Sequence, residues 1–217
     1  MSGNNDHFSK NIQNRYQFVT SGEGELTVKG DIRDLSRIED FAFNSLFSGC
    51  ANIVDANGLK IIDDANLPSS KARKWTFANM FIDCINLRTP PSSFTNVKPG
   101  MWCFSSTFGN CISLTAVPLI GTTHYSPYSH YCMFYNCKSL SSAPRLTAFH
   151  LADWCYNSMF YGCTSLTSIS ADFISWTPST ATTNWVTGIE TEGQFYNDNV
   201  DYIYGVDNVP ESWKVNP

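Results

Sequence analysis

The apolar positions of this chain follow a returning phrase rather than a single helical or strand period. It reads Leu46-Phe47-Ser48-Gly49-Cys50-Ala51-Asn52-Ile53, then Met80-Phe81-Ile82-Asp83-Cys84-Ile85-Asn86-Leu87. It returns as Thr107-Phe108-Gly109-Asn110-Cys111-Ile112-Ser113-Leu114, as Met133-Phe134-Tyr135-Asn136-Cys137-Lys138-Ser139-Leu140 and as Met159-Phe160-Tyr161-Gly162-Cys163-Thr164-Ser165-Leu166. The Phe positions 47, 81, 108, 134 and 160 are separated by 34, 27, 26 and 26 residues. A degenerate copy follows 26 residues later, with Val186 in place of Phe and Ile189 in place of Cys.

Aligned copies share columns. Six residues before each Phe stands an aromatic (Phe41, Trp75, Trp102, Tyr128, Trp154), three after it a Cys, five after it Asn or Ser, and six after it Ile or Leu. A Pro often follows, as at Pro90, Pro118 and Pro144. A period near 26 lies within the span of leucine-rich repeats. One copy alone buries too little to offset its ordering entropy, whereas stacked copies turn each column into a continuous internal file. The predicted buried files are Phe47/Phe81/Phe108/Phe134/Phe160/Val186, Cys50/Cys84/Cys111/Cys137/Cys163/Ile189 and Ile53/Leu87/Leu114/Leu140/Leu166.

Local signals predict how each coil is built. Ser36-Arg37-Ile38-Glu39 reads as a capping box. Asp153 to Phe160 reads as helical turns, with Cys155 and Met159 at i,i+4. Ser139 to Pro144 reads as a short strand ended by Pro, which lacks the amide to continue a ladder. The predicted fold class is therefore an α/β repeat, a leucine-rich-repeat solenoid of about six coils. Each coil would hold a short helical turn and a short parallel strand. Residues 1–14 are expected to form a mobile arm and 15–35 an N-terminal β-hairpin cap around Ser21-Gly22-Glu23-Gly24. Residues 36–192 would be the solenoid and 193–217 a C-terminal cap, since an exposed end coil is an unpaired edge. The long first step implies an insertion around 57–69.

Met159-Phe160-Tyr161-Gly162-Cys163-Thr164-Ser165-Leu166-Thr167 resembles the BspA-like leucine-rich repeats of bacterial surface proteins, in the Met-Phe-x-x-Cys-x-Ser-Leu variety of Bacteroides and their phages. The likeness covers about residues 41–189. Gly193-Gln194-Phe195-Tyr196 with Val209 to Val215 resembles that family's closing cap, and Phe18 to Ile32 its opening strands. The resemblance implies a solenoid without catalytic residues that serves adhesion or host-surface contact. It carries over no site residue by position.

Composition narrows the function classes. The 217 residues are 42% hydrophobic and 15% charged, with a net charge of −5. That balance argues against nucleic acid, whose binders carry a basic stripe. No apolar run approaches the roughly 20 residues of a membrane helix, and no basic-then-apolar leader opens the chain, so membrane insertion is not expected. The expected setting is extracellular or cell-surface, with a phage virion as the alternative because virion proteins need no export signal.

Chemistry-bearing residues are sparse. Of the eight cysteines, the repeat explains Cys50, Cys84, Cys111, Cys137 and Cys163; Cys103 and Cys155 share a further column, and Cys132 stands off-column. Buried thiols are expected, as free Cys behaves as a small hydrophobe, with a disulfide between neighbouring tiers left open. His124, His130 and His150 fall in variable loops, outside any repeating register, and make no dyad with an inward Cys. Asp63-Asp64 and Glu190/Glu192 lack the facing cleft that glycoside hydrolysis requires. Asn197-Asp198-Asn199-Val200-Asp201 lacks the Gly and the terminal Glu of a calcium loop. The Gly22/Gly24 pair precedes a strand-like run, not the helix a phosphate loop needs. No catalytic residue, metal site or cofactor is expected. Candidate ligand-binding residues are Tyr125, Tyr128, Tyr131, Tyr135, Tyr156 and Tyr161, with His124 and Phe149 in the same region, because tyrosine offers contact area and a hydroxyl at low entropic cost. The expected partner is a host or cell-surface protein or glycan, with self-association or virion assembly left open. A virion structural role and, more remotely, a carbohydrate-active enzyme are the alternative functions.

Overall fold

The structure is a computed structural model that describes residues 17–32, 40–61, 74–94, 99–121, 125–189 and 191–216. The capping box at 36–39, the arm at 1–14, Asp63-Asp64, His124, Glu190 and much of the first insertion lie outside the described residues.

The repeated phrase does not form helical turns. Among the described residues there is no α-helix, and the strands are short: β1 (Leu26–Asp31), β2 (Ile53–Lys60), β3 (Ser168–Ser170), β4 (Gly193–Tyr196) and β5 (Trp213–Asn216). The expected helix-plus-strand solenoid of about six coils is therefore not what the chain builds. Each phrase is instead a run of overlapping β-turns, and the runs at 41–50, 75–84, 102–111, 128–137, 154–163 and 180–189 lie on one another as tiers.

The backbone amides explain both features. Alternate amides close turns within a run: Leu46 donates to the Phe43 carbonyl at 3.2 Å, Ser48 to Ser45 at 3.1 Å and Cys50 to Phe47 at 3.1 Å. The amides between them leave the run for the next tier: Phe43 donates to Thr76 at 2.9 Å, Ser45 to Ala78 at 2.9 Å, Phe47 to Met80 at 2.9 Å and Gly49 to Ile82 at 2.8 Å. The same alternation recurs in the following tiers, with Phe81 donating to Thr107, Phe108 to Met133, Phe134 to Met159 and Phe160 to Trp185. An α-helix would keep every amide inside its own run.

Backbone handedness enforces this choice. A turn with positive φ at its third residue is type II in character, and such residues recur every fourth position. The turns closed by Cys50, Cys84, Cys111, Cys137, Cys163 and Ile189 put Gly49, Asp83, Asn110, Asn136, Gly162 and Gly188 there, at φ between 57° and 81°. Gly, Asn and Asp are the residues that tolerate this region. Four positions earlier stand Ser45, Asn79, Ser106, Cys132, Ser158 and Asn184, again with positive φ. Cys132 is thus on a column after all, one otherwise held by Ser and Asn.

Side chains pack in files through the stack. Phe18, Phe47, Phe81, Phe108, Phe134 and Phe160 stack with centroid spacings of 5.1 to 5.8 Å. Val186 and Ile189 close their files in the last tier, both buried. The aliphatic file Ile53, Leu87, Leu114, Leu140 and Leu166 is buried throughout. Each column cysteine is buried and free, and its thiol donates to the Phe carbonyl of the preceding tier: Cys84 to Phe47 at 3.0 Å, Cys111 to Phe81 at 3.1 Å, Cys137 to Phe108 at 3.1 Å and Cys163 to Phe134 at 3.0 Å.

Outside the turn runs the chain pairs in parallel. β1 runs parallel to β2, from Leu26 beside Ile53 to Asp31 beside Lys60. This replaces the expected hairpin, because the segment finds its partner in the first tier rather than in itself. β3, β4 and β5 form a parallel sheet in that order. Between them the expected strands shrink to single bridges, such as Ser142 with Ser168. Residues 206–208 close the far end: the Val186 amide donates to the Val206 carbonyl, the Asn184 amide to the Asp207 carboxylate and the Trp185 indole to the Asn208 carbonyl.

Asn110 tests the handedness argument. Its amide donates to Asp83 at 2.8 Å and its carbonyl oxygen accepts from Asn136 at 3.1 Å. Asn110→Val, a β-branched residue in left-handed backbone, is expected to lower stability by about 2 kcal/mol or more. Asn110→Gly should cost clearly less, as urea melts of both variants will show.

Candidate functional site

The six candidate tyrosines do not share one surface. Tyr156 is fully buried and Tyr125 packs half-buried against the core, so neither belongs to a binding face. Tyr156 follows Phe43, Phe77, Phe104 and His130 in an internal file, with ring centroids of 5.6, 5.4, 5.0 and 5.9 Å between successive members. His130, expected in an exposed loop, is therefore an interior residue. Ser129 Oγ lies 3.0 Å from its Nδ1, and burial alone pushes its pKa down to about 3. Burial, with the Tyr125 hydroxyl nearby, raises Tyr156 well above the ordinary tyrosine range.

The other four tyrosines reach the surface in two groups. Tyr128 belongs to an outer ridge in which Phe41, Trp75, Trp102, Tyr128 and Trp154 stack in turn at 5.9, 4.8, 4.0 and 6.0 Å. Tyr131 sets its ring edge-on to Trp102. Tyr135 and Tyr161 stack on each other at 5.1 Å with planes 16° apart. In the ridge the inner rings meet neighbours on both faces, and Tyr135 and Tyr161 each give one face to the other, so little open ring face is left to stack on a sugar.

Burial raises Cys111 and Cys137 far up, and Cys84, Cys155 and Cys163 to about 12, so these thiols stay protonated. Cys132 is half-buried and also raised by burial. Among the described residues no group of His, Cys, Asp and Glu converges as a metal site. The Asn197 side-chain oxygen accepts from the Asn199 amide at 2.8 Å and its NH2 donates to the Phe173 carbonyl, so both ends of the side chain are tied into the fold.

A depression of about 480 Å³ opens on the loop face beside the last tiers. Its floor is Trp176, held edge-on to Phe173 and Trp185 and stacked on Phe195 at 5.9 Å, with its indole donating to the Asp201 carbonyl at 2.9 Å. Ile174, Val200 and Ile203 form apolar walls, and Asp198 and Asp201 are exposed at the rim. One signal of this site is legible in the spacing: Trp176 and Asp201 lie 25 residues apart, about one repeat.

No protein-family description, curated protein or solved structure matches this chain.

Two outcomes follow from the buried groups. His130 has a folded pKa below its unfolded value of about 6.5, so the unfolded chain binds the extra proton. Its contribution to stability is complete above pH 6.5 and is lost as pH falls toward 3. The loss reaches up to about 5 kcal/mol. His130→Phe, which continues the file of Phe104, should flatten that part of the pH–stability curve relative to the parent. A thiol reagent at neutral pH should label native protein at Cys132 alone among the described cysteines, and Cys132→Ser should abolish that labelling until urea is added.

Proposed function

We propose that the chain is a non-enzymatic recognition module that contacts a host or cell-surface protein or glycan through the loops between its turn runs. What supports this most is where the apolar exposure falls. Leu119, Phe149 and Ile174 are 67%, 54% and 47% exposed on loop segments, while within the turn runs Tyr161 alone among the large apolar side chains reaches 36%. The Ile174 amide donates to the Phe149 carbonyl at 3.1 Å, which sets these two exposed apolar residues side by side on adjacent tiers. Apolar strips on an otherwise polar surface mark contact sites. The likeness of the repeated phrase to BspA-like adhesion repeats points the same way.

A rigid stack with varied loops suits recognition because the tiers fix loop positions without constraining loop sequence. Labelled protein is expected to bind at least one member of a panel of intact cells, matrix proteins and arrayed glycans. Leu119→Ser with Phe149→Ser should weaken that binding about tenfold while the melting temperature holds. Tyr135→Ala with Tyr161→Ala should lower stability by about 1 kcal/mol and leave binding nearly intact. Binding lost in the tyrosine variant at unchanged stability would move the contact face to the turn runs, and a parent that binds nothing on the panel would defeat the proposal.

A further inference from the structure

We propose that the Trp176 depression is a docking site for a protein segment that places an apolar side chain directly beside a basic one. The inference rests on the chain being a recognition module and names the chemistry of its partner.

The floor is preorganised. Trp176 is fixed by three aromatic neighbours and by its indole hydrogen bond, so an incoming side chain meets a rigid ring rather than one that must first be ordered. Rigidity of this kind removes part of the entropic cost of association. The Ser175 hydroxyl accepts from the Thr177 amide and donates to the Thr177 hydroxyl, which holds the loop carrying Trp176 in a tight local turn. Ile174 and Ile203 are 47% and 49% exposed on either side, so apolar area remains to be covered. Their burial is worth roughly 25 cal/mol for each Å² removed from water.

The rim selects charge. Asp198 and Asp201 are exposed, and no described basic side chain pairs with either. Arg145, whose partner Asp172 lies beside Asn199 of the depression, is spent on that carboxylate, which accepts from it at 2.9 and 3.2 Å. An approaching acidic segment would face two unscreened carboxylates on a chain of net charge −5. A basic segment would gain both, and Arg could in addition lie over the Trp176 face as a cation–π partner. A volume of about 480 Å³ admits a few side chains rather than a folded domain, so the occupant is a linear segment. A free divalent cation is the weaker occupant: the Asp201 carbonyl already accepts from Trp176 and the Asn197 side-chain oxygen from the Asn199 amide.

Panning a displayed random-peptide library on the whole chain, followed by fluorescence anisotropy of the enriched peptides, tests this. Enriched peptides should carry Arg or Lys adjacent to Leu, Ile, Phe or Trp. Asp198→Asn with Asp201→Asn should weaken them about tenfold, as should salt near 1 M, where the Debye length is about 3 Å. The Trp176 indole proton–nitrogen resonance should move on titration. Ile174→Ser should weaken binding even where the double Asn variant is saturated, and Tyr135→Ala should leave it unchanged. The proposal is overturned by enrichment of peptides without basic residues, by equal affinity for the double Asn variant, or by no enrichment at all. It is also overturned if calcium alone moves the Trp176 resonance and blocks the peptides. If the parent still binds cells or glycans in any of these cases, recognition stands and only the assigned partner chemistry falls.

Discussion

The structure depends on one alternation in the backbone. Along each turn run, one amide closes a turn three residues back and the next donates to the carbonyl of the following tier, as Cys50 and Gly49 do. A solitary run would leave half its amides without partners, and unpaired buried amides cost about 1–3 kcal/mol each. The fold is therefore cooperative along its axis: a tier is satisfied only when another lies against it. The last tier shows the same requirement from the other side. With no further turn run to receive them, the Asn184 and Val186 amides are met by the Asp207 carboxylate and the Val206 carbonyl. The carbonyls of Phe47, Phe81, Phe108 and Phe134 complete the scheme, each accepting a Cys amide from its own run and a Cys thiol from the next. Serine would bring a hydroxyl that prefers stronger partners, and alanine would bring no donor.

Left-handed residues are the condition for that alternation, and the chain meets it in two ways. At the columns of Asn110 and Ser106 it uses small or amide side chains, for which the conformation is cheap. At the outer column it places Phe41, Trp75, Trp102, Tyr128 and Trp154, all with φ near 60°. For bulky residues this conformation costs about 1–2 kcal/mol apiece. Each stacked neighbour returns about 0.5–1.5 kcal/mol beyond the area it buries. The two effects are of similar size, so the ridge is held by its own continuity. The ring at Trp102, stacked on both sides, gains most, and the end ring at Phe41 gains least.

The columns were legible in the sequence and the backbone was not. Residues such as Phe134 and Leu140 announce their files because the same side chain recurs at nearly one spacing. The turn runs were misread as helix because a helix and a chain of turns share closures three and four residues apart. What separates them is the left-handed residue at every fourth position. That signal was present as Gly49, Asp83, Asn110, Asn136, Gly162 and Gly188, but its counterpart at Trp75 or Tyr128 hides it behind aromatics that rarely adopt such backbone. His130 reads as a loop residue and Tyr156 as a surface one because they replace Phe in their file with polar rings. The parallel pairing of β1 with β2 was beyond reach, since Ser21-Gly22-Glu23-Gly24 has the composition of a hairpin turn and nothing local names the distant partner. Trp176 was passed over because its neighbours in space come from the following repeat.

These constraints also divide the surface by role. In the turn runs the amides are consumed by the run itself or by the next tier and the column thiols by the preceding one, so a change there costs stability before it alters binding. The loops carry few inter-tier obligations and hold the exposed Leu119, Phe149 and Ile174. Tyr135 and Tyr161 illustrate the division. Each alone suggests a binding stripe, but stacked on each other they commit one ring face apiece to the repeat. Trp176 sits at the boundary, its edges and one face anchored by Phe173, Trp185 and Phe195 in the core while the rest of the ring floors an open depression. A position of that kind couples the rigidity of the stack to the variability of the loops, which is the combination that selective contact requires.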